Sequence, residues 1–133
     1  MSMSNSAENK VLKALLQGTD IDFRASANLY LALFTADPTE AGVFTNEATY
    51  TGYARVAMPK ASAWTDGGST FTNATLLQFP QCTGGNNVIT HFAVCTLASA
   101  GEIVVSGALN ASLNISSGIQ PQFSSASLSV GAD

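Results

Sequence analysis

The chain has 133 residues, of which only 11% are charged, and its formal net charge is −4. Its 5 scattered basic residues cannot line a phosphate backbone or an anionic bilayer surface, so we expect neither a nucleic acid nor a membrane as partner. No apolar run is long enough to cross a bilayer, and the length fits one domain, predicted over residues 1–133.

The N-terminal segment predicts a helix from Ser6 to about Gln17, with Asn5 as N-cap and Glu8 in the order of a capping box. Gly18 follows where a left-handed C-cap belongs. Four apolar residues form one stripe at helical spacing: Val11, Leu12, Leu15 and Leu16. Because a helix of about three turns is marginal alone, the stripe should dock, by default on the chain's own sheets and alternatively on a neighbouring subunit.

The stretch from Asn28 to Thr35 predicts a central strand. Its apolar side chains alternate between two faces, which are Leu29, Leu31 and Leu33 on one and Tyr30, Ala32 and Phe34 on the other. A strand that is apolar on both faces is buried on both. Asp37 and Pro38 should end it in a turn that Gly42 completes.

A polar connection over Thr19–Ser26 precedes this strand, and a long exposed loop is predicted over Val43–Gly52. Further strands are predicted at Tyr53–Met58, Ala61–Trp64, Ser69–Leu77, Val88–Leu97, Glu102–Leu109, Asn110–Ser117 and Gln122–Val130. Short strands separated by turn clusters indicate a mainly β fold. We therefore expect an antiparallel β-sandwich or jelly roll with one short N-terminal α-helix, its strands running from about residue 28 to 130.

Little in the sequence points to catalysis. His91 is the single histidine and alternates with apolar residues on a predicted strand, so a structural role is favoured over a triad. One histidine with Cys82 and Cys95 is a poor zinc set. Without a signal peptide at the N-terminus, we expect synthesis in a cytoplasm and free, partly buried thiols. No catalytic, metal-binding or cofactor-binding residue is predicted, and no cofactor is expected.

Acidic residues occur in two short stretches that do not match a calcium loop. Asp20 and Asp22 are one pair, and Asp37 and Glu40 are the other. Neither stretch supplies the ligand spacing and central glycine of an EF-hand. Asp20 and Asp22 are instead expected to form local turns and an exposed ion pair with Arg24.

The order of these segments resembles a family of small tailed-bacteriophage virion proteins, described as head decoration (cement) or tail-fibre-like proteins. The resemblance runs from about Glu8 to Val130 and is most specific at Leu29–Thr39 and Tyr53–Arg55. It implies a non-enzymatic particle component with a β-sandwich or jelly-roll fold. Cys82 and Cys95 are not part of the family pattern, and no function is attached to them.

The first functional prediction is a capsid decoration protein that binds the outer surface of the major capsid protein shell and stabilises the head. Such a protein would be a homo-oligomer, a dimer or trimer, located on the virion after synthesis in the bacterial host cytoplasm. The alternative is a tail, baseplate or tail-fibre-associated structural protein. A third class is a small carbohydrate-binding module, which would need an exposed row of aromatic residues, with Phe44, Tyr50, Tyr53 and Trp64 as candidates.

Candidate partner contacts come from two segments. Val11 and Leu15 lie on the apolar stripe of the predicted helix, which an assembly protein can present to a neighbour. Phe44 and Tyr50 lie near the two ends of the predicted loop at residues 43–52. Low charge with many Thr and Asn residues suits a surface that neighbours cover.

Overall fold

The computed structural model describes residues 2–22 and 26–131. The fold is mainly β, with antiparallel sheets and one short helix, as predicted and consistent with a β-sandwich. Residues 23–25 of the predicted polar connection lie outside the described residues. The predicted ion pair with Arg24 therefore lies outside them as well.

The elements are β1 (Ser2–Met3), α1 (Asn5–Gln17), β2 (Asn28–Phe34), β3 (Val56–Pro59), β4 (Trp64–Asp66), β5 (Thr70–Asn73), β6 (Leu77–Gln78), β7 (Asn87–Cys95), β8 (Ile103–Ile115), β9 (Gln122–Phe123) and β10 (Ser129–Gly131). A five-stranded sheet has the order β1-β8-β7-β2-β3. A three-stranded sheet has the order β10-β5-β4, and β6 pairs with β9. All these pairings are antiparallel.

The prediction of a central strand at Asn28–Thr35 is confirmed. β2 lies between β3 and β7 in the five-stranded sheet. Leu31 and Leu33 point into the main core, whereas Ala32 and Phe34 point into a second apolar cluster on the other face. Burial on both faces is what the alternating apolar pattern requires.

The helix begins one residue earlier than predicted, and its N-cap is Ser4 instead of Asn5. The Ser4 hydroxyl accepts a hydrogen bond from the Ala7 backbone N–H at 3.1 Å and donates to the Ile103 carbonyl at 2.5 Å. Pairing of β1 with β8 brings Ser4 to Ile103, so a tertiary contact selects the cap. Gly18 is the left-handed C-cap, as predicted.

Several strand boundaries differ from the predictions. The predicted strand at Tyr53–Met58 begins only at Val56, because the Tyr53 N–H is already bonded to the Tyr50 carbonyl in a turn. It then includes Pro59, which an edge strand tolerates. The predicted strand at Ala61–Trp64 instead covers Trp64–Asp66. The two strands predicted over residues 102–117 form the single strand β8, which continues along β7 through a register shift.

One buried side chain explains two further differences. The strands predicted at Ser69–Leu77 and Gln122–Val130 are each divided in two. Asn73 lies at both breaks: its amide N–H donates to the carbonyls of Thr75 and Ser124, and its Oδ1 accepts from the Leu128 N–H at 2.9 Å. These bonds hold two turns where continuous strands were expected.

Candidate functional site

The N-terminal helix is fixed to the sheet through its first two turns. Ala7 is buried against the body of the protein. The Ser6 hydroxyl donates to Glu102 Oε1 at 2.7 Å, and Lys10 forms ion pairs with Glu102 and Asp22. The side of α1 that meets the body therefore carries small and polar residues instead of the apolar stripe.

As a result, most of the predicted stripe faces away from the sheets. Leu12, Leu15 and Leu16 are 54%, 76% and 78% exposed, while Val11 is half-buried. The default expectation that the stripe docks on the chain's own sheets is wrong, because the opposite side of α1 makes those contacts. We call the exposed residues Leu12, Leu15 and Leu16 the leucine face.

The second predicted contact segment, Val43–Gly52, is exposed only in part. Tyr50 is 3% exposed, and its hydroxyl donates to the Pro80 carbonyl at 2.7 Å. The backbone N–H groups of Thr49 and Tyr50 both donate to Asn87 Oδ1 at 2.9 Å. The predicted long exposed loop is therefore exposed only in part, and Tyr50 lies in the core instead of at the surface.

Phe44, at the other end of this segment, is half-buried. Its ring lies 6.3 Å from that of Phe34 and contributes to the second apolar cluster. The guanidinium of Arg55 lies over the Phe44 ring, 5.0 Å from its centroid. Such a cation–π contact fixes both side chains.

Arg55 is the centre of a polar network beneath this segment. Its Nε and Nη2 donate to the two carboxylate oxygens of Glu47 at 2.7 and 2.8 Å, and its Nη1 donates to the carbonyls of Leu97 and Ala100. The Tyr53 hydroxyl also donates to Glu47, at 2.7 Å. The network joins residues 47–55 to the turn between β7 and β8.

The electrostatics of this network favour the charged pair. Burial by itself would raise the pKa of Glu47, but the hydrogen bonds from Arg55 and Tyr53 outweigh it and hold that pKa below its ordinary value. Burial and the bond to Glu47 raise the pKa of Tyr53. The network thus holds an ionised carboxylate in a bidentate pair, an arrangement that stabilises structure.

The other candidate reactive residues are engaged in the fold. His91 lies on β7 as predicted, and its Nδ1 shares a hydrogen bond with the Thr90 hydroxyl at 2.8 Å. Cys82 and Cys95 are buried free thiols, and burial raises the pKa of Cys95 to about 12. Within residues 2–22 and 26–131, no group of 3 or more His, Cys, Asp or Glu side chains is placed to hold a metal ion.

The aromatic candidates for carbohydrate binding pack inward. Trp64 and Tyr53 are half-buried against the main core. Tyr53 stacks on Phe79 at 6.3 Å and meets Tyr50 edge-on at 5.5 Å. These side chains therefore do not form the exposed row that the third prediction requires. In the described part of the chain, no helix is long and apolar enough to span a membrane.

A groove that the sequence analysis did not predict lies where the edges of the two larger sheets face each other. Its volume is about 550 Å³, and every residue that lines it is uncharged. Its apolar lining consists of Met3, Phe71, Val104, Val105 and Val130. We call it the β1–β10 groove. The signal that could have indicated it is the absence of any charged residue from Ile103 to Gly131.

Comparison with known proteins gives one family match. The family model described as "Podophage GP4 fiber I protein gp80" matches residues 2–131. In a search of curated proteins, none matches this chain. The family match spans both surfaces described above, the leucine face and the β1–β10 groove.

Proposed function

The chain belongs to the podophage GP4 fiber I protein gp80 family, and we propose that it serves as a non-enzymatic building unit of a phage tail fibre. The family match, which extends over almost the whole chain, is the observation that carries this proposal. It makes the chain a structural protein of tailed phages, in agreement with the resemblance found in the sequence.

The family is described as a fibre protein, and this description helps to locate the chain within the phage particle. It supports the alternative prediction, a tail or tail-fibre location, better than the first prediction of a decoration protein on the major capsid protein. We therefore propose the tail as the location and other tail components as the partners.

The chemistry of the surface is consistent with a building unit. Only 11% of the residues are charged, and large side chains such as those of the leucine face remain exposed. Contiguous exposed apolar residues are typical of surfaces that bind a partner, and a neighbouring protein of the particle would supply one. Three side chains that could otherwise take part in chemistry support the fold instead. Glu47 and Arg55 form an ion pair, and Cys95 is a buried thiol.

The location is tested on intact particles. A cryo-EM map of the virion, combined with quantitative mass spectrometry of its proteins, should place the chain in tail appendages, in the small copy number that tail symmetry allows. A capsid decoration protein would instead be present in the many copies of an icosahedral shell. Density for this chain on the head alone would overturn the proposal.

A further inference from the structure

Helix α1 is anchored to the body of the protein at its N-terminal end. The N-cap Ser4 donates to the Ile103 carbonyl, and the Asn5 N–H donates to the Glu40 carbonyl at 2.8 Å. Of the 13 residues of α1, all of which the structure describes, Ala7 alone is buried. Neither apolar cluster formed by the described residues includes a residue of this helix. Core packing therefore contributes little to the docking of α1.

The second turn of α1 is held by ion pairs around Lys10. Its ammonium group bonds to the carboxylate of Glu102, which directly precedes β8, and lies 2.9 Å from Asp22 Oδ1 in the connection that follows α1. The Ser6 hydroxyl donates to the other carboxylate oxygen of Glu102 at 2.7 Å. We call these contacts the Lys10 junction. Residues 11–17, which follow it along the helix, are exposed or half-buried.

We propose that residues 8–17 of α1 open from the sheet as one unit while the β core stays folded, and that the Lys10 junction controls this opening. Segments that bury few apolar groups open at a lower free energy than the core of the same protein. The released segment would not remain helical, because helices shorter than about 12–15 residues are marginal in water. Opening of α1 is therefore a local unfolding event.

The Lys10 junction lies partly in solvent. The exposed fractions of its side chains are 24% for Lys10, 42% for Glu102 and 73% for Asp22. Ion pairs at such positions contribute little to stability and are screened by salt. We therefore expect α1 to open more often at high ionic strength, whereas β2 and β7, which are held by core packing, should not respond.

Acid should favour the open form as well. The hydrogen bond from Lys10 holds the pKa of Glu102 below its ordinary value of 4.5. Among the described residues, Lys10 and Asp22 are the charged groups that act on this carboxylate, and Glu8 and Lys13 are the other charged residues of α1. The ionised carboxylate thus stabilises the docked helix. This contribution is present above the open-state pKa and is lost as the pH falls through the lower docked-state pKa.

Hydrogen–deuterium exchange of the purified protein tests this inference, which goes beyond the proposed fibre role and does not depend on it. At neutral pH the backbone amides of residues 9–17 should share one protection factor, at least about 10-fold below that of the β2 and β7 amides. Lys10→Met should lower the protection of α1 by a further factor of about 2–10, because two partly exposed ion pairs are lost. The β2 and β7 amides should keep their wild-type protection.

Lys13→Met is the matched control, because it removes the same charge from an exposed residue of the same helix outside the Lys10 junction. Its α1 protection should stay within about 2-fold of wild type, since substitutions at exposed positions have small effects on stability. Glu102→Gln keeps the size of the side chain and should lower α1 protection at neutral pH. It should also reduce the change in α1 protection between neutral and acidic pH.

Three results would overturn the proposal. The first is an α1 protection factor equal to that of β2 and β7 in the wild-type protein. The second is an equal effect of Lys10→Met and Lys13→Met, or wild-type α1 protection in Glu102→Gln. The third is a Lys10→Met protein in which β2 and β7 lose protection together with α1, because α1 would then not open as a separate unit.

Discussion

Position 52 requires glycine because of its backbone conformation and its close approach to a neighbouring carbonyl. Its φ of 98° lies in the left-handed region, and a Cβ atom there would stand 2.8 Å from the Gln81 carbonyl oxygen. The close approach arises because Thr51 pairs with Gly84 across an isolated β-bridge. Gly118 has a similar φ of 94°, but a Cβ atom there would meet nothing within 4 Å.

Gly52→Ala should therefore destabilise the protein more than Gly118→Ala. Both variants incur the cost of a non-glycine residue in the left-handed region, about 1 kcal/mol or more. Gly52→Ala adds the clash with the Gln81 carbonyl, for which we expect a further cost of about 1–2 kcal/mol. Urea denaturation of the two variants measures the difference, and equal free energies of unfolding would contradict the explanation.

The ionised carboxylate of Glu47 stabilises the folded state. Its carboxylate accepts a bidentate pair of hydrogen bonds from Arg55 and a third bond from Tyr53. Because its pKa is held below the ordinary 4.5, the charged form stabilises the folded state. That contribution is present above the unfolded-state pKa and is lost as the pH falls through the lower folded-state pKa.

Glu47→Gln should cost about 2 kcal/mol at neutral pH, because it removes hydrogen bonds to a charged group. The difference in unfolding free energy from wild type should begin to shrink as the pH falls below the ordinary value of 4.5, and it should be lost as the pH passes the lower folded-state pKa of Glu47. Urea titrations between neutral and acidic pH measure this difference. Tyr53→Phe, which keeps Arg55, should retain a pH-dependent contribution from Glu47, and a difference independent of pH would refute the assignment.

At the scale of elements, β2 and α1 illustrate opposite outcomes of the same kind of prediction. The alternating pattern of β2 predicted burial on both faces, and the structure confirms it. The stripe of α1 predicted docking on the chain's own sheets, yet Leu15 is 76% exposed. Periodicity identifies an apolar surface in both elements but does not identify the partner that covers it.

Leu31→Asp should prevent folding. Leu31 is fully buried in the main core, and an uncompensated carboxylate there costs several kcal/mol, a large part of the stability of a typical domain. Leu15→Asp makes the same chemical change on the exposed leucine face and should leave the fold intact. Circular dichroism and thermal denaturation compare the two, and a folded Leu31→Asp protein would contradict the position of β2 in the core.

At the scale of the whole molecule, a structural protein of tailed phages carries two apolar surfaces outside its core. The proposed fibre role would require contacts between this chain and its neighbours in the tail. The core of the fold is held by β2 and β7, and the leucine face and the β1–β10 groove lie outside it.

Four features could be predicted from the amino-acid sequence: the fold class, the central strand at Asn28–Thr35, the helix, and its C-cap at Gly18. These features depend on local periodicity and on the backbone freedom of single residues. The resemblance to phage virion proteins could also be identified from the order of the sequence segments. Local patterns extend over a few residues, which is why these parts could be predicted.

Which residues are buried and which remain exposed depended on the tertiary structure. It buried Tyr50, selected Ser4 as N-cap through Ile103, and divided two predicted strands around Asn73. It also turned Leu15 outward and formed the β1–β10 groove from segments distant in sequence. Each of these depends on contacts between residues far apart along the chain, which no local pattern encodes.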